Sequence, residues 1–382
     1  MLQVEIDLLH FLLTIHFSRR NNKNRIEYQL YFKIQDDIQE IVMKKIVTMG
    51  AIMMRLSTPG CSRIVQAEKF EVSYGGSEAN VAVSLANFGF NACFLTKLPE
   101  NAMGQAALNN LRRFGVNTNY IARGGERLGV YYLETGASMR ASQVVYDRKG
   151  SSISETDSDD FDLQEIFMGV DWFHFSGITP ALSDKAAVLT EVVLKYVKSK
   201  NISVSCDLNY RKKLWSTEKA REVMTNLMQY VDVCIGNEED AEKMLGFSTG
   251  ATKVTDGKID LDGYKKIFLR MQEKFKFSYI ASTLRESYSA SDNDWSALIY
   301  DGRQFYSSKK YRIHIIDRVG TGDSFAAGLI CGLLDEKNIN EALEFATAAS
   351  ALKHTIPGDF NHAARAEIEA LTAGDGSGRV QR

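Results

Sequence analysis

From Lys45 onward, short apolar runs alternate with longer helix-patterned segments, and that rhythm leaves few folds open. The runs 46–49, 93–96, 172–175, 204–208, 231–235 and 279–282 are almost continuously apolar. A strand with one wet face alternates polar and apolar residues, whereas a strand covered on both faces does not. Helix patterns at 77–87, 184–200 and 217–230 lie between several of these runs. The alternation predicts an α/β fold with a doubly wound, mostly parallel sheet and helices on both faces. Two stretches, 55–72 and 129–147, break the rhythm. The second holds two candidate strands, 130–133 and 143–146, around a Gly-containing turn. We read both stretches as a small extra β-sheet placed as a lid.

Charge and cysteine usage exclude several classes. Among 382 residues, Lys+Arg number 46 and Asp+Glu 48, for a formal net charge of -2. Nucleic-acid binding needs a concentrated basic excess, so no nucleic-acid partner is expected. No apolar run approaches the roughly 20 residues that span a bilayer, so no membrane partner is expected either. The cysteines, Cys61, Cys93, Cys206, Cys234 and Cys331, are scattered and form no CxxC pair. They read as reduced core thiols of a cytoplasmic protein rather than a disulfide frame or zinc site.

The N-terminus differs from the rest. Its apolar stretch, 8–17, follows Glu5 and Asp7, whereas a secretory signal places positive charge first. Met43-Lys44-Lys45-Ile46 reads as a fresh start before the first strand. Residues 1–42 are therefore expected outside the fold and 43–371 as the folded domain, with lid strands from about 55–72 and 129–147. The Gly-rich end, 372–382, is expected to be a mobile tail.

The strongest local signal is Gly320-Thr321-Gly322-Asp323, followed by a wholly apolar helix pattern from Phe325. Glycines ahead of a helix let backbone N–H groups converge on an anion, and the helix dipole favours negative charge there. Asp323 at that position is open to two readings. It is a helix cap, or it takes a proton from a hydroxyl while the amides hold a transferring phosphoryl group. No GxxxxGK[ST], no GxGxxG after the first strand and no GxSxG occurs. The Walker-type, nicotinamide and serine-hydrolase readings of such a sheet therefore lack their motifs.

Gly320-Thr321-Gly322-Asp323-Ser324-Phe325 resembles the C-terminal signature of the PfkB/ribokinase family of sugar kinases. Tyr74-Gly75-Gly76-Ser77-Glu78-Ala79-Asn80 is similar to that family's N-terminal signature, about 240 residues upstream. Within the family, four segments resemble the kinases of 2-keto-3-deoxygluconate. They are Gly129-Val130-Tyr131-Tyr132, Tyr146-Asp147-Arg148, Ser176-Gly177-Ile178-Thr179-Pro180 and Asp207-Leu208-Asn209-Tyr210-Arg211.

The resemblance implies ATP-dependent phosphorylation of the 6-hydroxyl of that sugar acid. Asp323 would be the base, and Gly320, Thr321 and Gly322 the anion hole. Gly76, Asn80, Tyr131, Tyr146, Arg148, Arg211 and Asp359 would meet the sugar acid. Asn209, Asn237, Thr283, Arg285, Gly320, Gly322 and Thr347 would meet ATP. Glu239 or Asp240 would reach Mg2+ through water. The motifs do not specify a monovalent cation. By analogy a homo-oligomer would form through the lid sheet.

Taken singly, the tyrosines could equally pack a sheet face and the arginines stand as solvated charges. Three positions depart from the family pattern. Ala51 replaces a Glu after Gly50, Asp240 replaces a Glu, and Ser282-Thr283-Leu284-Arg285 replaces a Gly-rich segment. Two further readings follow from these. One is a kinase of a neutral sugar such as fructose, tagatose or ribose, which would give no reason to gather two arginines. The other is a non-catalytic sugar-acid-binding protein on the same scaffold.

Overall fold

A computed structural model describes residues 43–248 and 260–376. The expectation for 1–42 and most of that for 372–382 fall outside the described residues. Fourteen strands are described, in chain order β1 (Lys45–Met49), β2 (Met53–Ser57), β3 (Glu71–Gly75), β4 (Asn91–Leu98), β5 (Ile121–Arg123), β6 (Gly129–Glu134) and β7 (Gln143–Asp147). Then come β8 (Val170–Ser176), β9 (Ser203–Asp207), β10 (Val233–Ile235), β11 (Tyr279–Ser287), β12 (Asp292–Tyr300), β13 (Phe305–Ser307) and β14 (Tyr311–His314). The described helices begin with α1 (Ser77–Asn87), α2 (Ala102–Arg113), α3 (Leu163–Ile166), α4 (Ile178–Ala181), α5 (Asp184–Ser199) and α6 (Thr217–Leu227). They continue with α7 (Glu238–Leu245), α8 (Leu261–Phe275), α9 (Thr321–Leu334), α10 (Ile339–Lys353) and α11 (Arg365–Ala373).

The large sheet runs β13-β12-β11-β10-β9-β8-β1-β4-β5, with β14 also paired to β12. From β11 to β5 every pairing is parallel. Alternate residues of each strand serve opposite layers. Val47, Met49, Phe173 and Phe175 pack with α5, α6, α7 and α8. Ile46, Trp172, Val233 and Ile235 pack with α1, α9 and α10. This two-sided burial is why the strands read as continuous apolar runs.

β12, β13 and β14 form an antiparallel extension that periodicity did not reveal. β12 carries Asp292, Asn293, Asp294 and Ser296 and resembles a loop in sequence.

The second sheet, β3-β2-β6-β7, covers the carboxyl ends of the parallel strands. Its β2 and β3 extend beyond the 55–72 stretch at both ends, because the chain turns straight from β1 through Gly50-Ala51-Ile52 into β2.

Helix α9 is buried along almost its whole length and lies against α10. A Cβ on Gly328 would come 2.7 Å from the Ala346 Cα, and one on Gly332 would come 2.6 Å from the Ala342 Cβ. Only glycine permits that approach. Gly328→Val should cost at least about 1–3 kcal/mol by overpacking. Urea unfolding checks this, and an unchanged midpoint would contradict it.

Candidate active site

A cavity of about 440 Å³ lies between the lid and the carboxyl ends of the parallel strands. In open α/β sheets this is the crevice where ligands bind, beside the point where strand order reverses. Here that point separates β1 from β8.

Asp323 stands in the first turn of α9 and is buried. Its Oδ1 accepts from the Ser77 Oγ at 2.7 Å and its Oδ2 from the Asn80 Nδ2 at 2.6 Å. Burial raises its pKa above the usual carboxylate value, and the Ser77 and Asn80 hydrogen bonds partly counter that rise. Gly320 caps the helix at φ 82°, a left-handed conformation suited to glycine. The first i→i−4 bond of the helix runs from the Ser324 amide to the Gly320 carbonyl at 2.9 Å. The amides of Thr321, Gly322 and Asp323 precede it and have no intrahelical acceptor. A Cβ on Gly322 would meet nothing within 4 Å, so this turn opens onto free space.

Asn80 bridges two parts of the site, since its Oδ1 also accepts from the Gly76 amide at 3.2 Å. Gly76 lines the cavity, and it also makes a close approach of its own. A Cβ there would lie 1.9 Å from the Ala51 carbonyl oxygen, just beyond the end of β1.

The lid contributes Tyr131, Tyr146 and Arg148 to the cavity wall. Arg148 is only 8% exposed, and its Nε has no partner. Its guanidinium lies 4.2 Å from the centroid of the Tyr146 ring. Burial lowers its pKa, Tyr146 counters this, and the like charge of Arg211 lowers it further. Arg211 follows β9, lines the same cavity and is exposed. The described residues give neither arginine a carboxylate within ion-pair distance.

The cavity also carries acidic groups. Asp207 ends β9 and is buried, with its Oδ2 accepting from the Asn209 Nδ2 at 3.1 Å. Burial pushes its pKa well up, and Asp240 and Asp323 push it further. Asn209, at φ 44°, turns the chain there. Asn237, Thr283 and Arg285 also line the cavity.

Several expected contacts have other partners. Thr347 is fully buried, its hydroxyl donates to the Leu343 carbonyl at 2.7 Å, and it is absent from the cavity wall. Glu239 is exposed and also off the wall. Asp240 lines the cavity, but both its oxygens accept from amides, those of Tyr210 at 2.8 Å and Asn237 at 3.1 Å. Asp359 accepts from the Arg55 Nη1 at 2.8 Å and from the Tyr131 hydroxyl at 2.5 Å, so both its oxygens are engaged within the protein. Among the described residues, no group of three or more His, Cys, Asp or Glu is arranged to hold a metal.

Sequence reasoning passed over Asp207, Ser77 and Glu78. For Glu78 the signal was present, because it is a charged residue in a helix whose other residues up to Leu85 are Ala, Val, Leu, Ser and Asn. Glu78 is fully buried and borders the cavity. Its Oε1 accepts from the Ser176 amide at 2.9 Å, the Ser176 hydroxyl at 2.7 Å and the Thr179 hydroxyl at 2.6 Å. Its Oε2 has no partner. A Cβ on Gly50 would lie 2.1 Å from that oxygen, so glycine ends β1 where this carboxyl must sit.

The profile described as pfkB family carbohydrate kinase matches residues 43–362. The chain belongs to the PfkB family of carbohydrate kinases. Its relatives include the 2-dehydro-3-deoxygalactonokinase of Haloferax volcanii, 30% identical over 335 residues, which are 87% of this chain and 98% of that protein. The 2-dehydro-3-deoxygluconokinase of Bacillus subtilis is 24% identical over 317 residues, 82% of this chain and 91% of that protein. The crystal structure of 2-dehydro-3-deoxygluconokinase from Thermotoga maritima superposes with a TM-score of 0.83 at 51% identity. It covers 87% of this chain and 100% of that one.

This PfkB kinase carries a measurable consequence of burying Glu78. Burial raises its pKa from 4.5 to about 7, against the hydrogen bonds from Thr179 and Ser176. Between those values the folded state binds more protons than the unfolded chain, so stability falls as pH rises through that window. Glu78→Gln, which mimics the neutral acid, should flatten the decline and leave the variant the more stable protein above pH 7. Urea unfolding across a pH series tests this, and parallel curves for the two proteins would refute it.

Proposed function

We propose that this kinase transfers the γ-phosphoryl group of ATP to the 6-hydroxyl of 2-keto-3-deoxygluconate, giving 2-keto-3-deoxy-6-phosphogluconate. Arg148 is the observation that carries the choice of substrate. A buried guanidinium with no carboxylate partner, beside a second arginine, calls for an anionic ligand. A neutral sugar would leave the buried Arg148 charge without a ligand partner. The names of the Haloferax, Bacillus and Thermotoga relatives favour the same class of sugar acid.

In this reading the sugar carboxylate lies between Arg148 and Arg211, and the far hydroxyl points toward Asp323. Asp323 takes the hydroxyl proton as the new O–P bond forms and the bond to the ADP oxygen breaks. Burial raises its pKa, which makes it a stronger proton acceptor than an exposed carboxylate. The Thr321, Gly322 and Asp323 amides receive the negative charge of the phosphoryl oxygens. Asn209, Asn237, Thr283 and Arg285 border the nucleotide side.

The described carboxylates form no ready-made metal cluster, so magnesium would enter with the nucleotide. Asp207, Asp240 and Asp323 crowd one wall, and a polyphosphate could approach them only with a cation. When bound, the ion offsets charge on the transferring group. Asp240 would reach it through water, whereas Glu239 lies off the wall. The lid excludes water from the reacting centre.

We also place the protein in the cytoplasm, and the burial of Cys206, Cys234 and Cys331 in the core supports this. Val72 on β3 and Val145 on β7 are exposed on the two edge strands of the lid, which supports pairing between lids in a homo-oligomer.

An ADP-release assay with ATP and magnesium tests the reading against 2-keto-3-deoxygluconate, 2-keto-3-deoxygalactonate, gluconate, fructose and ribose. Turnover should be confined to the keto-deoxy acids, and turnover with fructose or ribose alone would overturn the substrate assignment. Sugar-acid binding without turnover would indicate a binding protein instead. Asp323→Asn should lower kcat by about 10²–10⁴-fold with sugar binding retained. Arg148→Ala and Arg211→Ala should raise the KM for the sugar acid far more than that for ATP. An equal rise for both substrates would remove the arginines from the sugar site.

A further inference from the structure

Arg55 lies on β2 of the lid and is only 4% exposed. Its guanidinium is committed to three acceptors. The Nε donates to the Ser57 Oγ at 2.6 Å, the Nη1 to the Asp359 Oδ1 at 2.8 Å and the Nη2 to the Asp317 Oδ2 at 2.6 Å. The two carboxylates are 304 and 262 residues away in sequence.

Asp317 opens the turn that leads into α9. Its Oδ1 accepts from the Val319 amide at 3.0 Å and its Oδ2 from the Gly358 amide at 3.0 Å. Asp359 is wedged between the lid and the same turn. A Cβ on Gly75 would lie 2.0 Å from its Oδ2, and one on Gly320 would lie 2.0 Å from its carbonyl oxygen. Tyr131 also grips Asp359 and is the register partner of Arg55 on the neighbouring lid strand. Two adjacent lid strands therefore hold the two segments that shape Gly320-Thr321-Gly322.

We propose that Arg55 is a positioning residue that fixes the phosphoryl-binding turn to the sugar-binding lid, so that the two move as one body. The inference rests on the reading that this turn receives the transferring phosphoryl group. Arg55 touches no reacting atom. Its removal would let the turn shift relative to a sugar held by the lid, and displacement of about 1 Å at a reacting centre can cost about 10²-fold in rate.

Arg55→Met keeps the length of the side chain but strands two buried carboxylates, which by itself destabilises the fold. The double variant Arg55→Met/Asp317→Asn removes one charge of each sign and separates the two effects. It should recover the thermal midpoint lost by Arg55→Met while kcat stays about 10²-fold low and the KM for sugar acid changes little. Arg55→Lys, which can reach one carboxylate, should fall between the two. Amide exchange gives a readout that does not depend on turnover. With 2-keto-3-deoxygluconate alone, amides 318–323 should gain protection in the wild type and not in the double variant.

Recovery of wild-type kcat together with the midpoint would overturn the proposal, leaving Arg55 as a charge balance only. Equal protection in both proteins would overturn it as well. A wild type that binds no sugar acid would instead defeat the substrate reading, a failure visible before any variant is compared.

Discussion

Asp323 is a buried carboxylate at the head of a buried helix, and its burial constrains much of the surrounding structure. Taking such a group out of water is costly unless hydrogen bonds and nearby positive potential offset the loss. Ser77 and Asn80 of α1 supply the hydrogen bonds, and the first turn of α9 supplies the potential. Helices α1 and α9 must therefore meet in one register. That register is set from behind, where Gly328 and Gly332 let α9 settle against Ala346 and Ala342 of α10. Packing far from the cavity thus determines where the carboxylate points.

Charge of both signs lines the cavity, from Arg148 and Arg211 and from Asp207, Asp240 and Asp323. The positive charge of Arg211 acts on all three carboxylates and counters the rise that burial gives their pKa values. Arg148 is different, since burial and the like charge of Arg211 both disfavour its cationic form. The cavity therefore has one cation already engaged with its own acids and one that an anionic group could still serve.

The parallel strands, α1 and the Gly320–Asp323 turn were legible in the sequence because each reflects a local rule. Two-sided burial gives continuous apolar runs, and a helix start that takes an anion needs glycine. Arg55 was not legible, because its partners are 262 and 304 residues away and a charge opening a lid stretch looks like a solvent-facing residue. β12 was missed because its first half is polar, and only its pairing with β11 and β14 makes it a strand. Thr347 was misplaced for a related reason. Its hydroxyl proton goes to its own helix and the residue is fully buried, which a single polar letter in the sequence does not reveal.

Glu78 and Ala51 together bear on how Arg148 stays available. Position 51, where a Glu was expected, holds a residue with no charge, which leaves Glu78 as the carboxyl at the β1–β8 divide. Burial keeps that carboxyl protonated up to about pH 7, with Ser176 and Thr179 serving its one satisfied oxygen. A charged Glu78 would draw on Arg148, whose own charge is already disfavoured by burial and by Arg211. A neutral Glu78 makes no such demand. The guanidinium is then left with little negative charge around it, as the proposed binding of a sugar acid requires.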